Sequence, residues 1–360
     1  VLTESAQKFV SELTFQSLTG RRAYTDSDLW SQEGHVLHVG LGQQAQLLVV
    51  APATADTIAR LAQGRADNLL SITALAAGCP IVVAPAMDAG MFEHPATQAN
   101  LAILRERGVI LVGPVEGRMA SGLVGPGRML EPEQLLGHIR RILGRTGPLV
   151  GRKVVVTAGG TQEPLDPVRV LANRSSGKQG FALAQAAIDR GAEVILIAGP
   201  TSLGTPVGAA RVDVQTAAQL AEAVAAALPQ AAVLLMAAAV ADFRPTRAER
   251  NKIKRKAGVP QVRLEPTEDI LASLGKNRPQ VVVGFAAESA DLLANARAKL
   301  EEKALDLIVA NDIRASDAGF AADTNRVTLI ARNGEEQSLP LLAKAEVAER
   351  VLDKVVELLA

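Results

Sequence analysis

Two loops in the C-terminal half carry residue types that hold phosphate. The run VVVTAGG at 154–160 ends an apolar stretch in Gly159 and Gly160, which lack a Cβ and can leave backbone amides open to an anion. In NRSSGKQG at 173–180, Ser175, Ser176 and Gly177 open a helix, where unpaired amides and the helix dipole favour negative charge. A glycine turn between strand and helix is also ordinary turn chemistry. Two such loops close together point to one phosphate-bearing ligand. Cations follow at Lys252 and Lys254 in NKIKRK (251–256), and at Lys299 and Lys303, one helical turn apart. They suit the charge that builds up on a polyphosphate, although a basic cluster alone reads first as a solvated loop.

The elements that must position these residues follow from periodicity. Short apolar runs near 47–51, 81–84, 109–112, 153–157, 193–198, 232–237, 281–284 and 306–310 alternate with helical patterns at 55–63, 67–77, 95–107, 132–143, 177–190, 216–227 and 290–303. That alternation predicts an α/β protein of two Rossmann-like domains with mainly parallel sheets. The stretch GRTGPLVGRK at 144–153 breaks both periodicities and sets the expected boundary between domains 1–147 and 148–360. The first domain opens at a strand end and helix start, VLTESAQKF, where a doubly wound domain would already have a strand behind it. A doubly wound domain lacking its first strand is therefore expected, with an N-terminal segment missing.

Composition narrows the class of function. The chain has 360 residues, 48% of them hydrophobic, enough for two cores. Basic and acidic residues balance at 38 each, so no net field draws it to nucleic acid or an anionic membrane. No apolar run approaches the ~20 residues of a membrane span. The single cysteine, Cys79, excludes an internal disulfide and agrees with a reducing, cytoplasmic setting.

In order along the chain, LDPVRVLANRSSGKQG (165–180), AAAVADFRP (237–245), NKIKRK, VVGFAAES (282–289) and DLIVAND (306–312) resemble the phosphopantothenate–cysteine ligase domain of the bifunctional coenzyme A biosynthesis flavoproteins, over nearly all of 150–330. The resemblance implies two steps. The carboxylate of 4′-phosphopantothenate attacks the α-phosphate of CTP to give an acyl cytidylate, and the cysteine amine then displaces CMP. It further implies that Asn173 holds the acyl cytidylate and that Lys252 heads a basic loop closing over it. Lys299 and Lys303 would reach the triphosphate. Asp242 would lie near the nucleotide with Mg²⁺, Phe285 against the cytosine, and Met236, Ala237 and Ala238 where a base edge is read. Each has a plainer reading, Asp242 as a turn or cap and Phe285 as core. Where the family has Asn-Pro-Asp, this chain has Thr267, Glu268 and Asp269, which bears on the choice of nucleotide, CTP or ATP.

LLVVAPATADTIARLAQGRADNLLS (47–71), APAMDAGMFEHPA (84–96) and GRMASGLVGPGRMLEP (117–132) are similar to the phosphopantothenoylcysteine decarboxylase half of the same family, a flavodoxin-like FMN domain. That likeness implies oxidation at the cysteine thiol, loss of CO₂ and return of the electrons to the enethiol, with FMN carrying the redox step and 4′-phosphopantetheine as product. His38 is expected as the acid or base beside the flavin, with His35 one turn away as its rival. Ser5, Thr54, Asp56, Thr57 and Met87 are expected on the flavin side, Asp56 also being a plausible helix cap. Two departures stand out. The family's asparagine for the substrate carboxylate is Asp88, and its acid cysteine is Ser121 in Ala120-Ser121-Gly122. A hydroxyl is far less acidic than a thiol of pKa ~8.5, so a slower or differently protonated decarboxylase is expected.

The family's trimeric flavin domains and dimeric ligase domains imply a homo-oligomer. The alternatives are a ligase whose flavin half serves assembly, motivated by Ser121 and Asp88, and a non-enzymatic regulator of the phosphatase-inhibitor kind, which the ligase motifs oppose. A dehydrogenase would need a G-x-G-x-x-G with an acidic residue about 20 positions on, and none is present. Residues 331–360 read as a helix-rich tail without assignable chemistry.

Overall fold

The computed structural model describes residues 1–30, 36–254, 261–288, 291–312 and 322–360. They form two compact units, Val1–Ile139 and Arg140–Ala360. The sequence puts the division at 147/148; the chain joins the second unit from Arg140 because that stretch packs on later residues. A Cβ on Gly144 would lie 2.6 Å from the Ile188 carbonyl and one on Gly147 would lie 2.4 Å from that of Arg190, while the Arg140 guanidinium pairs with Asp189.

In the first unit, helices α1 (Glu4–Gln7), α2 (Glu12–Thr19) and α3 (Leu37–Gln44) precede β1 (Leu48–Ala53), α4 (Ala55–Gln63), α5 (Leu69–Ala76) and β2 (Ile81–Pro85). Then come α6 (Ala89–Glu93), α7 (Pro95–Glu106), β3 (Ile110–Leu111), the antiparallel hairpin β4 (Val115–Arg118) and β5 (Val124–Arg128), and α8 (Pro132–Leu143). The strands β1-β2-β3 pair in parallel in that order. Their apolar residues pack with Ile58, Ala62, Leu101 and Leu104 of α4 and α7, so the alternation read from the sequence does build a parallel sheet with crossover helices.

The second unit runs β6 (Lys153–Ala158), β7 (Gln162–Pro164), β8 (Val170–Ala172), α9 (Lys178–Ile188), β9 (Glu193–Ala198), β10 (Ala209–Asp213), α10 (Ala217–Ala227) and β11 (Ala231–Met236). It continues through β12 (Phe243–Pro245), β13 (Leu264–Pro266), β14 (Val281–Glu288), α11 (Leu292–Glu302), β15 (Leu307–Asp312), β16 (Thr324–Asn325), β17 (Val327–Ala331), β18 (Glu336–Ser338), β19 (Leu342–Ala343) and α12 (Lys344–Leu359). Eight of these strands form one sheet in the order β10-β9-β6-β11-β14-β15-β17-β18. It is parallel through β15 and antiparallel at its last two pairings.

Both faces of this sheet are covered, which is why its strands are apolar without alternation. Val154 and Val156 pack with Leu183 and Ala187 of α9 and with Val351 and Leu352 of α12. Their neighbour Val155 points the other way, into a cluster with Leu220 and Val224 of α10 and Ala296 and Leu300 of α11. A sheet held from both sides fixes the C-terminal ends of β6, β11 and β14, where ligands of open α/β sheets bind. The tail expected after 331 is helical only from Lys344; ahead of it lie β18 and β19.

Candidate functional site

Register places three strand ends side by side. Thr157 of β6 stands opposite Met236 of β11, and Met236 opposite Gly284 of β14. The Thr157 hydroxyl accepts from the Ala238 amide at 3.1 Å, and that of Thr161 accepts from the Ala241 amide at 2.9 Å. Those two bonds hold the loop after β11 against the loop after β6. Two cavities open on this ridge and share Ala238, Val240 and Phe285 in their walls.

The smaller cavity, about 380 Å³, is lined among others by Met236, Asp242, Asp269, Lys299 and Lys303. The Lys303 ammonium lies 3.1 Å from the Asp269 carboxylate. Burial alone would raise the Asp269 carboxyl, but the Ala272 amide, Lys303 and the Leu271 amide together hold it below the ordinary carboxylate range. Thr267, which stands where the family has asparagine, donates its hydroxyl to the Ala241 carbonyl at 2.6 Å and so closes the wall from within. Among the described residues no group of three or more His, Cys, Asp or Glu is placed to hold a metal. Asp242 is exposed and lines this cavity together with Glu268 and Asp269.

The larger cavity, about 630 Å³, is lined by Asn173, Ser175, Ser176, Gly177 and Ala237, with Asn311, Asn325 and Lys344 from the far side. Gly177 takes φ 77° as the N-cap of α9, and no side-chain cap bond closes that helix end. The Lys178 amide makes only a long bond to the Ser176 hydroxyl at 3.5 Å, so this helix end is weakly capped, as a glycine in the left-handed region permits. The Asn173 side-chain amide donates to the Val240 carbonyl at 2.9 Å, which pins it beside the wall common to both cavities.

Gly159 and Gly160 have a different part from the amide-baring one expected of them. Both are buried and line neither cavity. A Cβ on Gly160 would lie 3.0 Å from the Asn173 carbonyl, and one on Gly159 would lie 3.0 Å from that of Gly199. They let the loops approach backbone to backbone.

Lys252 is exposed and lines neither cavity. Its segment is fixed next door: the Ile253 amide donates to the buried Asp166 carboxylate at 3.1 Å, in the turn of the β7–β8 hairpin. Asp166 also accepts from the Val168 and Arg169 amides, at 2.8 Å each. Burial works to raise this carboxyl, but these amides and the Arg169 charge hold it below its ordinary range. Arg255 and Lys256 of the basic run lie outside the described residues.

In the first unit the ends of β1 and β2 also adjoin, the Ala86 amide donating to the Ala53 carbonyl at 3.0 Å. Thr54 caps α4 by accepting from the Thr57 amide at 3.3 Å, so the cap is Thr54 and not Asp56. The Asp56 carboxylate turns along the helix to Arg60 at 2.9 Å. The Met87 amide donates to the Gly127 carbonyl at 2.9 Å, drawing the β4–β5 hairpin onto the segment after β2. Asp88 caps α6 through the Gly90 amide at 3.1 Å and accepts from the Ser121 hydroxyl at 2.6 Å. His38 is half-buried in the first turn of α3 and Ser5 is exposed in α1; neither is joined by a hydrogen bond to the strand-end residues. His35 lies outside the described residues.

Against known proteins, residues 149–359 match the model of the DNA/pantothenate metabolism flavoprotein C-terminal domain, and residues 1–144 match that of the flavoprotein family. The chain is 44% identical over 362 residues to the coenzyme A biosynthesis bifunctional protein CoaBC of Bacillus subtilis, covering 99% of this chain and 89% of that one. The chain belongs to the bifunctional coenzyme A biosynthesis flavoproteins. The Mycobacterium bovis protein of the same name is 46% identical over 375 residues, again covering 99% and 89%. A solved structure of the C-terminal domain of CoaBC is 39% identical, with a TM-score of 0.51, covering 59% of this chain and 98% of that one. As a member of this family the chain is an enzyme of coenzyme A biosynthesis, with ligase and decarboxylase activities. Full-length relatives of both halves leave no ground for a ligase whose flavin half only supports assembly.

Sequence reasoning missed the far wall of the larger cavity, above all Lys344. It is 6% exposed at the first position of α12, and burial, then the nearby Lys178 charge, lower its ammonium against a smaller opposing effect from Asp323. The available signal was a lysine ahead of an amphipathic helix, which is equally the pattern of a surface helix.

Proposed function

We propose that the second unit joins 4′-phosphopantothenate to cysteine at the expense of CTP, and that the first unit decarboxylates the product to 4′-phosphopantetheine with FMN. The observation that carries the ligase reading is the pair of cavities meeting at Ala238, Val240 and Phe285. One offers lysines to a triphosphate, the other helix amides and Asn173 to an acid, and their common wall is where the two would react. There the carboxylate oxygen attacks the α-phosphorus and pyrophosphate leaves. The cysteine amine then attacks the acyl carbon, the C–O bond to the nucleotide breaks and CMP leaves.

Lys299 and Lys303 would offset repulsion between the carboxylate and the phosphates, with Phe285 stacked on the base and Asn173 on the acyl group. Asp242, with Glu268 and Asp269 in the same wall, would suit Mg²⁺, which keeps several waters and shares phosphate oxygens. Lys252 would act by moving over the cavities with its segment. In the first unit the adjoining strand ends present hydroxyls and amides, a donor set that fits a flavin ring and ribityl chain. Thr54, Thr57 and Met87 would hold FMN, which supplies the two-electron redox step when bound. His38 and Ser121 would handle protons, with Asp88 accepting the serine's hydrogen bond. Exposed Phe9 and Trp30, at 92% and 89%, favour self-association, and the lone Cys79 favours a reducing cytoplasm.

The test is release of pyrophosphate and CMP from CTP on addition of phosphopantothenate and cysteine. No release with pure substrates overturns the ligase assignment. For the first unit, the purified full chain should show flavin absorbance and release CO₂ from phosphopantothenoylcysteine; a colourless, inactive protein overturns that half.

A further inference from the structure

The segment 238–242, just after β11, forms part of both cavities. Ala238 and Val240 stand in the wall common to the two, and Asp242 lines the smaller. The segment belongs to no helix or strand, so its backbone groups need partners from outside the ladder. Ala239 and Gly160 form an isolated parallel bridge, in which the Ala239 amide donates to the Gly159 carbonyl at 2.8 Å and the Thr161 amide to the Ala239 carbonyl at 3.2 Å. On either side of that bridge a threonine hydroxyl takes over. Thr157 accepts from the Ala238 amide at 3.1 Å and Thr161 from the Ala241 amide at 2.9 Å.

Both threonines are buried, and neither lines the two cavities. Their hydroxyls therefore act on the wall and not on a ligand. Thr157 also donates to the Met236 sulfur at 3.6 Å, so one hydroxyl holds a side chain of the smaller cavity and an amide of the common wall together. From the other side, the Asn173 side-chain amide donates to the Val240 carbonyl at 2.9 Å and the Thr267 hydroxyl to the Ala241 carbonyl at 2.6 Å. Valine has nearly the shape of threonine and is the residue of β6 at 154–156. What threonine adds at 157 and 161 is the acceptor, and without it the buried Ala241 amide would lose its partner.

We propose that Thr157 and Thr161 are positioning residues of the ligase reaction. They fix the wall shared by the cavities, and with it the line along which a carboxylate held in the larger one meets the α-phosphorus of a nucleotide held in the smaller. The inference rests on the ligase reading above. Each cavity keeps its own polar side chains whether or not the hydroxyls are present, so either substrate alone binds much as before. Attack is more sensitive to placement than binding is, since an error of about 1 Å costs on the order of 10²-fold in rate. Loss of a hydroxyl thus acts on kcat and leaves affinity nearly untouched.

The test compares Thr161→Val and Thr161→Ser in the full chain, with Thr157→Val as an independent variant. Thr161→Val should lower kcat for pyrophosphate release about 10- to 100-fold, while calorimetric affinities for CTP and for phosphopantothenate, measured separately, stay within about twofold. Thr161→Ser keeps the hydroxyl and should recover most of the rate. Thr157→Val should behave as Thr161→Val does. Thr267→Val, at a half-buried position, removes the bond to the Ala241 carbonyl; it should slow kcat in the same way and stands in should the buried variants fail to fold. An unchanged kcat in the folded variants overturns the proposal, as does a loss of affinity that accounts for the whole fall in rate. A serine variant as slow as the valine one also overturns it, because the methyl group and not the hydroxyl would then matter. If the unaltered enzyme releases no pyrophosphate, the ligase reading itself fails; if it does and the variants turn over normally, only the role of the threonines fails.

Discussion

The Ser121 hydroxyl donates to the Asp88 carboxylate over 2.6 Å, joining the β4–β5 turn to the cap of α6. Both residues stand where the family carries something else, so the two departures are in contact. The bond satisfies one oxygen of the Asp88 carboxylate without removing its charge. It also ties up a hydroxyl that is a weak acid to begin with. Replacing Ser121 by Cys should therefore raise the decarboxylation rate, by about tenfold if proton delivery limits turnover, and Ser121→Ala should lower it. CO₂ release from phosphopantothenoylcysteine reads both, and an unchanged rate with cysteine would remove proton delivery as the slow step.

Lys303 and Asp269 make a second informative pair, 3.1 Å apart in the wall of the smaller cavity. Lys303→Met deletes a cation and leaves the Asp269 charge facing the triphosphate, so it should raise KM for CTP by about tenfold or more. Lys299→Met should cost less, because it exposes no carboxylate of this pair. Adding Asp269→Asn to Lys303→Met should recover part of the loss. Initial rates of pyrophosphate release at varied CTP decide it; a double variant worse than the single one would mean that Asp269 serves the wall rather than the charge balance.

How far these sites could be read in the sequence depended on whether a residue acts through local pattern or through the fold. The parallel strands β1, β2, β3, β6, β9, β11, β14 and β15 and the opening of α9 were legible, because apolar runs without alternation and a Ser-Ser-Gly turn are local signals; the sheet's outer strands β10, β17 and β18 were not. Gly159 and Gly160 were legible as special but not in their part, since the Gly199 and Asn173 carbonyls that crowd them lie 40 and 13 residues away in sequence. Lys344 and Asn325 were invisible for the same reason: only the pairing of β17 against β15 brings their segment to the cavity. The β4–β5 hairpin, β7–β8 and β12–β13 were missed because their residues are short, polar or glycine-rich, with no period to detect. Asp166 went with them, as a carboxylate whose importance lies in the amides it gathers.

Those amides give Asp166 a signature in pH. Its carboxyl is held below the ordinary range in the folded protein, so the stabilisation is present above the unfolded carboxylate pKa of ~3.9. It is lost as pH falls through the lower, folded value. Asp166→Ala should lower the melting temperature at pH 7 by on the order of 5 °C, by stranding the Val168, Arg169 and Ile253 amides. The deficit should shrink towards acid, where the native carboxylate also protonates. Because Ile253 adjoins Lys252, ligase activity should fall at a temperature where the variant is still folded. Calorimetric melts between neutral and acid pH check the first claim, and a pH-independent deficit would show that packing, not charge, is what Asp166 provides.

Gly180 sets the position of α9 and with it the helix end that lines the larger cavity. It lies inside the helix, where alanine would ordinarily be favoured by ~1 kcal/mol. Here a Cβ would fall 2.5 Å from the Ala158 Cβ and 2.9 Å from the Thr157 carbonyl of β6, contacts that only a shift of helix against strand can relieve. Overpacking of that kind costs ~1–3 kcal/mol, enough to offset or outweigh the propensity, and Gly180→Ala should be net destabilising by up to about 2 kcal/mol in urea. The strain enters at the first turn of α9, directly beneath Gly177 and Lys178, and the affinity for phosphopantothenate should fall with stability. Affinity for CTP, proposed to be held by Lys299 and Lys303 at the end of α11, should change less. A variant more stable than the parent would mean that the helix rides further from the strand in solution, and the close seat of α9 on β6 would have to be given up as the support of the site.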